Sequence, residues 1–89
     1  MLDLKDLRCF VVVYETRGFG RAADFLNTAQ SNVSVRVLRL ERAIGAPLFE
    51  RRHRSILTTA KGELLYRHAK RVLADIEEIE TRFRDRQAG

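Results

Sequence analysis

Side chains able to read hydrogen-bond patterns cluster at one place in this chain. Gln30, Ser31, Asn32 and Ser34 open a run in which Val33, Val37, Leu40 and Ile44 recur every three or four residues. That period buries one face of a helix and leaves the amide and hydroxyl groups of its first turns free for a ligand. Shortly after comes Arg51-Arg52-His53-Arg54, a cationic run whose guanidinium groups can fork onto phosphate oxygens. Catalytic chemistry lacks its parts. The two histidines, His53 and His68, and the single cysteine, Cys9, stand at no metal-ligand spacing, and no glycine-rich phosphate loop is present. Cys9 reads as packing. The chain is therefore expected not to be an enzyme and to carry no cofactor or metal of its own.

The net charge of +5 is concentrated in one stretch. Between residues 30 and 62, Arg36, Arg39, Arg42, Arg51, Arg52, Arg54 and Lys61 face only Glu41 and Glu50, and the rest of the chain is balanced, ten cations against ten acids. A local basic block on a neutral body points to a polyanionic partner, although such a block also occurs as a merely solvated face. The 89 residues suffice for one small domain. A hydrophobic share of 45% and a charged share of 33% are those of a globular chain. No apolar run approaches the roughly 20 residues of a membrane span, and the opening Met1-Leu2-Asp3-Leu4 does not resemble a secretory signal. One cysteine permits no internal disulfide, which suits a reducing cytoplasm.

Four helices and a hairpin are needed to position these groups. The first helix runs from about Leu4 to Thr16, with Leu4, Leu7, Val11 and Tyr14 on one stripe and Phe10 beside it. Cys9, Val12 and Val13 fall on a second arc, so this helix is expected to pack on two sides, the second of them open to a partner subunit as well as to the chain's own elements. A short helix follows over about Arg21–Leu26, led by Gly20, and Asn27-Thr28-Ala29 reads as a turn. The third helix spans about Gln30–Ile44 and ends at Gly45, with Pro47 preventing resumption. A hairpin is expected from Leu48–Arg51 and Ile56–Thr58 around a tip at Arg52–Ser55. The last helix begins near Thr58 or Thr59 and reaches about Arg84. Along it Leu65, Ala69, Val72, Ile76, Ile79 and Phe83 alternate steps of four and three, a heptad seam of the kind that joins two helices. The expected partner is a second copy of this chain.

Two helices joined by a three-residue turn form a helix-turn-helix candidate. Ala22 and Ala23 are small enough for the helices to cross closely, and the polar opening of the second helix is where base edges are read. The run from Arg21 through Ser34, with Leu40-Glu41, Gly45-Ala46-Pro47-Leu48-Phe49-Glu50-Arg51, Leu57-Thr58 and Lys61-Gly62 in order, resembles the DNA-binding part of LysR-type bacterial transcriptional regulators. Leu4, Leu7, Arg8 and Phe10 match that family's first helix. The resemblance covers essentially the whole chain. It implies a mainly α fold: a winged helix-turn-helix over residues 1–58, then a linker or dimerisation helix over 59–89. It also implies a further, effector-binding domain absent from this sequence, a small-molecule effector for that domain, and homodimers paired into tetramers in the longer protein. The DNA would be an interrupted palindrome near a promoter.

On this reading Gln30, Ser31, Asn32, Ser34, Val35, Arg36 and Arg39 on the third helix, and Arg51, Arg52, His53 and Arg54 on the wing, contact double-stranded DNA. The chain departs from the family in three places. Ala29 stands where many members have Ser or Thr, leaving Thr28 as the nearest hydroxyl. Ser31 and Asn32 stand where many have Pro or Ala. Val35 follows Ser34 where many carry Arg, and the arginine comes one residue later, at Arg36, about 100° around the helix. The side facing the groove then presents Ser31, Val35, Leu38 and Arg42, with Arg36 on its flank. Val35 either packs on a thymine methyl or is an ordinary exposed apolar residue. A protein–protein interaction module dimerising through the last helix accounts for the seam equally well, but not for a basic window that coincides with the third helix and the hairpin. An anionic membrane surface is a poorer fit, because the last helix carries Asp75, Glu77, Glu78 and Glu80.

Overall fold

A computed structural model describes the backbone of residues 2–88 and the side chains of residues 2–84. Six elements follow in order: α1 (Leu4–Thr16), α2 (Phe19–Leu26), α3 (Gln30–Ile44), β1 (Phe49–Arg52), β2 (Ser55–Thr58) and α4 (Ala60–Ala88). It is a winged helix-turn-helix followed by one long helix, as the sequence predicts.

α1 is capped by Asp3, whose Oδ1 accepts the backbone N–H groups of Lys5 at 2.7 Å and Asp6 at 3.3 Å. It ends at Arg17 in the left-handed conformation (φ 64°). Both of its apolar arcs are buried within this one chain, because α2, α3 and α4 all pack on it. Of the two surfaces open to them, Cys9, Val12 and Val13 therefore face neighbours in the same domain and not a partner subunit, while Leu4, assigned to the inner stripe, is exposed. Burial also pushes the Cys9 thiol above its usual range, which keeps it protonated and suits packing.

α2 starts two residues earlier than expected. Gly18, not Gly20, takes the extended N-cap conformation, and Phe19 is drawn into the core, where its ring meets that of Phe49 edge-on at 5.9 Å. Asn27 closes α2 in the left-handed conformation (φ 56°). α3 has the expected bounds. Val33, Val37 and Leu40 are buried, and Gly45 caps the helix at φ 84°, a conformation that costs glycine nothing. Glu41 then reaches forward, and its Oε2 accepts the backbone N–H of Leu48 at 2.8 Å, tying the end of α3 to the wing.

The wing keeps the register that the expected tip implies, Arg51 opposite Ile56, but its pairing runs one residue further toward the tip. Phe49 pairs with Thr58 and Arg52 with Ser55, so the strands are one residue longer at the tip and the turn is His53-Arg54 alone. Leu48 lies ahead of the strand as a fully buried anchor.

Thr59 caps α4: its Oγ1 accepts the N–H of Gly62 at 3.0 Å and donates to the carbonyl of Pro47 at 2.8 Å. Gly62 is pressed against the wing's base. A Cβ there would collide with the carbonyl oxygen of Leu48 and with Cγ2 of Thr58. Gly62→Ala is thus expected to cost about 1–3 kcal/mol through forced displacement of backbone. In a thermal melt that is a drop of roughly 4–8 °C per kcal/mol; an unchanged melting temperature would show that the wing base yields freely.

The first turns of α4 belong to the domain. Tyr66 stacks on Tyr14 (centroids 3.7 Å apart, planes at 10°). Two crossed hydrogen bonds reinforce the stack: Tyr14 donates to Glu63 at 2.7 Å and Tyr66 to Glu15 at 2.5 Å, with Lys70 also on Glu15 at 3.0 Å. The bond to Glu15 pushes the Tyr66 hydroxyl up to about 12, and the same bond pulls the Glu15 carboxyl down. Ala69 is buried in the core, with Leu65 and Leu73 packed against it. Two of the six expected seam residues, Leu65 and Ala69, are therefore covered by their own chain, and the core runs across the boundary expected at residue 58. Val72, Ile79 and Phe83 are exposed and Ile76 is half-buried.

Candidate nucleic-acid interface

α3 presents a continuous outer face. Gln30, Ser31, Asn32, Val35, Leu38, Arg39 and Arg42 are exposed, whereas Ser34 and Arg36 are half-buried. Val35 is 55% and Leu38 46% accessible, so two apolar side chains stand in water in the middle of a polar surface. The helix begins at Ala29 with no side-chain cap. Thr28 does not replace the missing cap; its Oγ1 accepts a hydrogen bond from Nδ2 of Asn32 at 2.9 Å. The first amide N–H groups of α3 are left facing outward, a partial positive charge beside the polar residues.

The wing arginines differ in their surroundings. Arg51 lies over the ring of Phe19, 4.2 Å from its centroid, a cation–π contact that holds the guanidinium beside α2. Arg52 pairs loosely with Glu50 at 3.4 Å, both side chains well exposed, a contact of little energetic weight. His53 and Arg54 form the tip and are exposed. Gln30 and the four wing residues line one cleft of about 310 Å³ together with Arg17. The structure thus brings the opening of α3 and the cationic wing to one side of the molecule.

Arg36 and Arg39 are placed differently. Both point back toward α1, where Nη1 of Arg36 is 3.0 Å from Oδ1 of Asp6 and Nε of Arg39 is 3.4 Å from its Oδ2. Asp6 is 3% exposed, and a buried carboxylate requires such partners. Sequence reasoning missed Asp6. Its signal was present: Asp6, Cys9 and Val13 share an arc of α1 at helical spacing, and an acid on an otherwise apolar arc calls for a cation nearby. Among the described residues no group of His, Cys, Asp and Glu could hold a metal ion, and no helix is long and apolar enough to cross a membrane.

Residues 4–63 match the family of bacterial regulatory helix-turn-helix proteins of the lysR family. Among curated relatives, the HTH-type transcriptional regulator IlvR of Caulobacter vibrioides is 38% identical over 91 residues, covering 99% of this chain and 31% of its own. XapR of Escherichia coli is 39% identical over 77 residues, covering 86% and 26%. The chain spans about a third of the length of the curated relatives it matches, or less. Among solved structures, the BenM DNA-binding domain in complex with catB site 1 DNA superposes with a TM-score of 0.92 at 33% identity, covering 98% of both chains. A full-length OxyR from Pseudomonas aeruginosa superposes at 0.90 and 30% identity, covering 96% of this chain and 29% of that one. These relatives are regulators rather than enzymes. The chain belongs to the lysR family of bacterial regulatory helix-turn-helix proteins and carries that family's DNA-binding domain.

Proposed function

We propose that this chain is the sequence-reading head of a cytoplasmic transcriptional regulator. α3 enters the major groove with Gln30, Ser31, Asn32, Ser34 and Val35 toward the base edges, and Arg51, Arg52, His53 and Arg54 of the wing lie on phosphates or the adjacent minor groove. Two copies joined through α4 read an interrupted palindrome near a promoter, with α4 beyond Leu73 acting as the linker. The longer protein responds to a small-molecule effector and pairs its dimers into tetramers. The observation that carries this reading is the convergence of the exposed opening of α3 and the arginine wing on one side, in a fold matched over its whole length by a domain solved on DNA.

The test is enrichment from a pool of random duplexes, followed by affinity measurement over a salt series. A two-fold repeat should emerge, with binding that weakens as salt rises because phosphate contacts release counterions. A chain that dimerises but binds no duplex at any salt would be a protein-interaction module instead. Val35 sharpens the test. Its side chain has no hydrogen-bonding atom, so it discriminates only by packing, and the thymine C5-methyl is the apolar group in the major groove. Replacing the contacted thymine by uracil should weaken binding roughly fourfold, the worth of ~0.8 kcal/mol for one buried methyl-sized group. Val35→Ala should then be indifferent to the swap. If no thymine-to-uracil change in either half-site depends on Val35, that residue is simply exposed.

A further inference from the structure

A second cationic surface adjoins α3 on the side away from the wing. A cleft of about 510 Å³ separates α1 from α3, with Lys5 and Arg8 on one wall and Asn32, Val35, Arg36 and Arg39 on the other. Four cations line it, against two carboxylates at the start of α1: Asp6, shared between Arg36 and Arg39, and Asp3, which caps the helix and also feels the charge of both arginines. Among the described residues, Lys5 and Arg8 form no ion pair. Each is exposed. Like charges gathered around one open cleft repel, and a polyanion relieves that repulsion.

We propose that this cleft seats backbone phosphates of the bound duplex, so that α1 grips the DNA through Lys5 and Arg8 alongside Arg36 and Arg39 of α3. The inference rests on the DNA-binding reading above and adds α1, through Lys5 and Arg8, to the contacts that α3 and the wing supply. Three observations support it. Val35 and Asn32 belong both to the cleft wall and to the outer face of α3, so the cleft opens onto the surface assigned to base reading. Asp6 fixes one nitrogen of each α3 guanidinium, while the side chains remain 34% and 55% exposed; each guanidinium has further N–H donors to offer. Lys5 and Arg8 stand one helical turn apart on α1, as Arg36 and Arg39 do on α3, which sets a pair of cations on each wall of the cleft. A strand of DNA, with its regular spacing of phosphates, presents the complementary row of charge.

The double variant Lys5→Ala, Arg8→Ala removes two exposed side chains, and its melting temperature should match that of the parent chain. On both the selected duplex and a random one, affinity should fall by about tenfold or more, and the slope of log K against log salt should become shallower by roughly 0.9 for each phosphate that is no longer neutralised. The pair Arg67→Ala, Arg71→Ala, two exposed cations on α4, corrects for the change in overall charge. A duplex with single neutral methylphosphonates placed beside each half-site provides an independent measurement. One or two such positions should weaken the parent chain and leave the Lys5/Arg8 variant unaffected. If the α1 and α4 pairs reduce affinity and slope equally, or if no methylphosphonate position depends on Lys5 and Arg8, the cleft does not face the DNA and the proposal falls while the DNA-binding reading stands. If the parent chain itself binds no duplex, both fall together.

Discussion

Replacing Val72 and Ile76 together by Asp is expected to leave the chain monomeric in sedimentation. Val72 is 42% exposed, Ile76 half-buried, and Ile79 and Phe83 are 56% and 64% exposed. Among the described residues, this apolar run along the outer part of a 29-residue helix is left largely uncovered. A second α4 at heptad spacing would cover it. Two carboxylates placed in that contact would be desolvated without partners, at a cost of several kcal/mol. The domain itself should still fold and melt cooperatively, because its core is built from α1, α2, α3, the wing base and α4 only as far as Leu73, with the melting temperature lowered only by the lost association. DNA binding should suffer more than any single contact implies. Without the second reading head, an effective-concentration gain of about 10²–10⁴ on a two-fold site disappears, while binding to a half-site duplex stays near that of one parent subunit. A double variant that remains dimeric would place the interface elsewhere, and the exposed run on α4 would then need another occupant.

Phe10→Ala is expected to be the most damaging single truncation to the fold. Its ring is 0% exposed, lies 5.4 Å from that of Phe49 and 6.4 Å from that of Tyr14, and so connects the middle of α1 with the base of the wing. Removing a buried phenyl group costs about 3–5 kcal/mol, a large share of the roughly 5–15 kcal/mol by which small domains are stable. At roughly 4–8 °C per kcal/mol the melting temperature should fall by tens of degrees. Leu4→Ala, on the same helix but 51% exposed, should stay within roughly 0.5 kcal/mol of the parent. Should the two variants melt alike, α1 would not be the central element of the core.

Much of the architecture was legible in the sequence, for local reasons. The bounds of α3 follow from an apolar period at one end of which stands a glycine suited to the left-handed cap, and both signals act within a few residues. The exposed placement of Ser31, Val35, Leu38 and Arg42 follows from the same period. The α2 boundary and the length of the wing turn did not follow. Gly18 and Gly20 are equally able to precede a helix, and the choice falls to Phe19 docking on Phe49, thirty residues away. The polar run Arg52–Ser55 reads equally well as a four-residue tip or as a two-residue turn, and the pairing of Arg52 with Ser55 decides for the shorter turn.

The division is sharpest along α1 and α4. A heptad run states that a helix has an apolar seam, but it is the same run whether the surface that covers it is another copy or the helix's own domain. Tertiary structure alone assigns Leu65 and Ala69 to the core and leaves Val72, Ile79 and Phe83 bare. It likewise turns the second arc of α1 inward and joins Asp6 to Arg36 and Arg39 across thirty and thirty-three residues of chain. The crossed pairs Tyr14–Glu63 and Tyr66–Glu15, 49 and 51 residues apart, are of the same kind. Helical period and capping are properties of neighbouring residues and can be read along the chain. Which surface covers a stripe, and which cation answers a buried acid, depend on the packing of distant segments and exist only once the chain has folded.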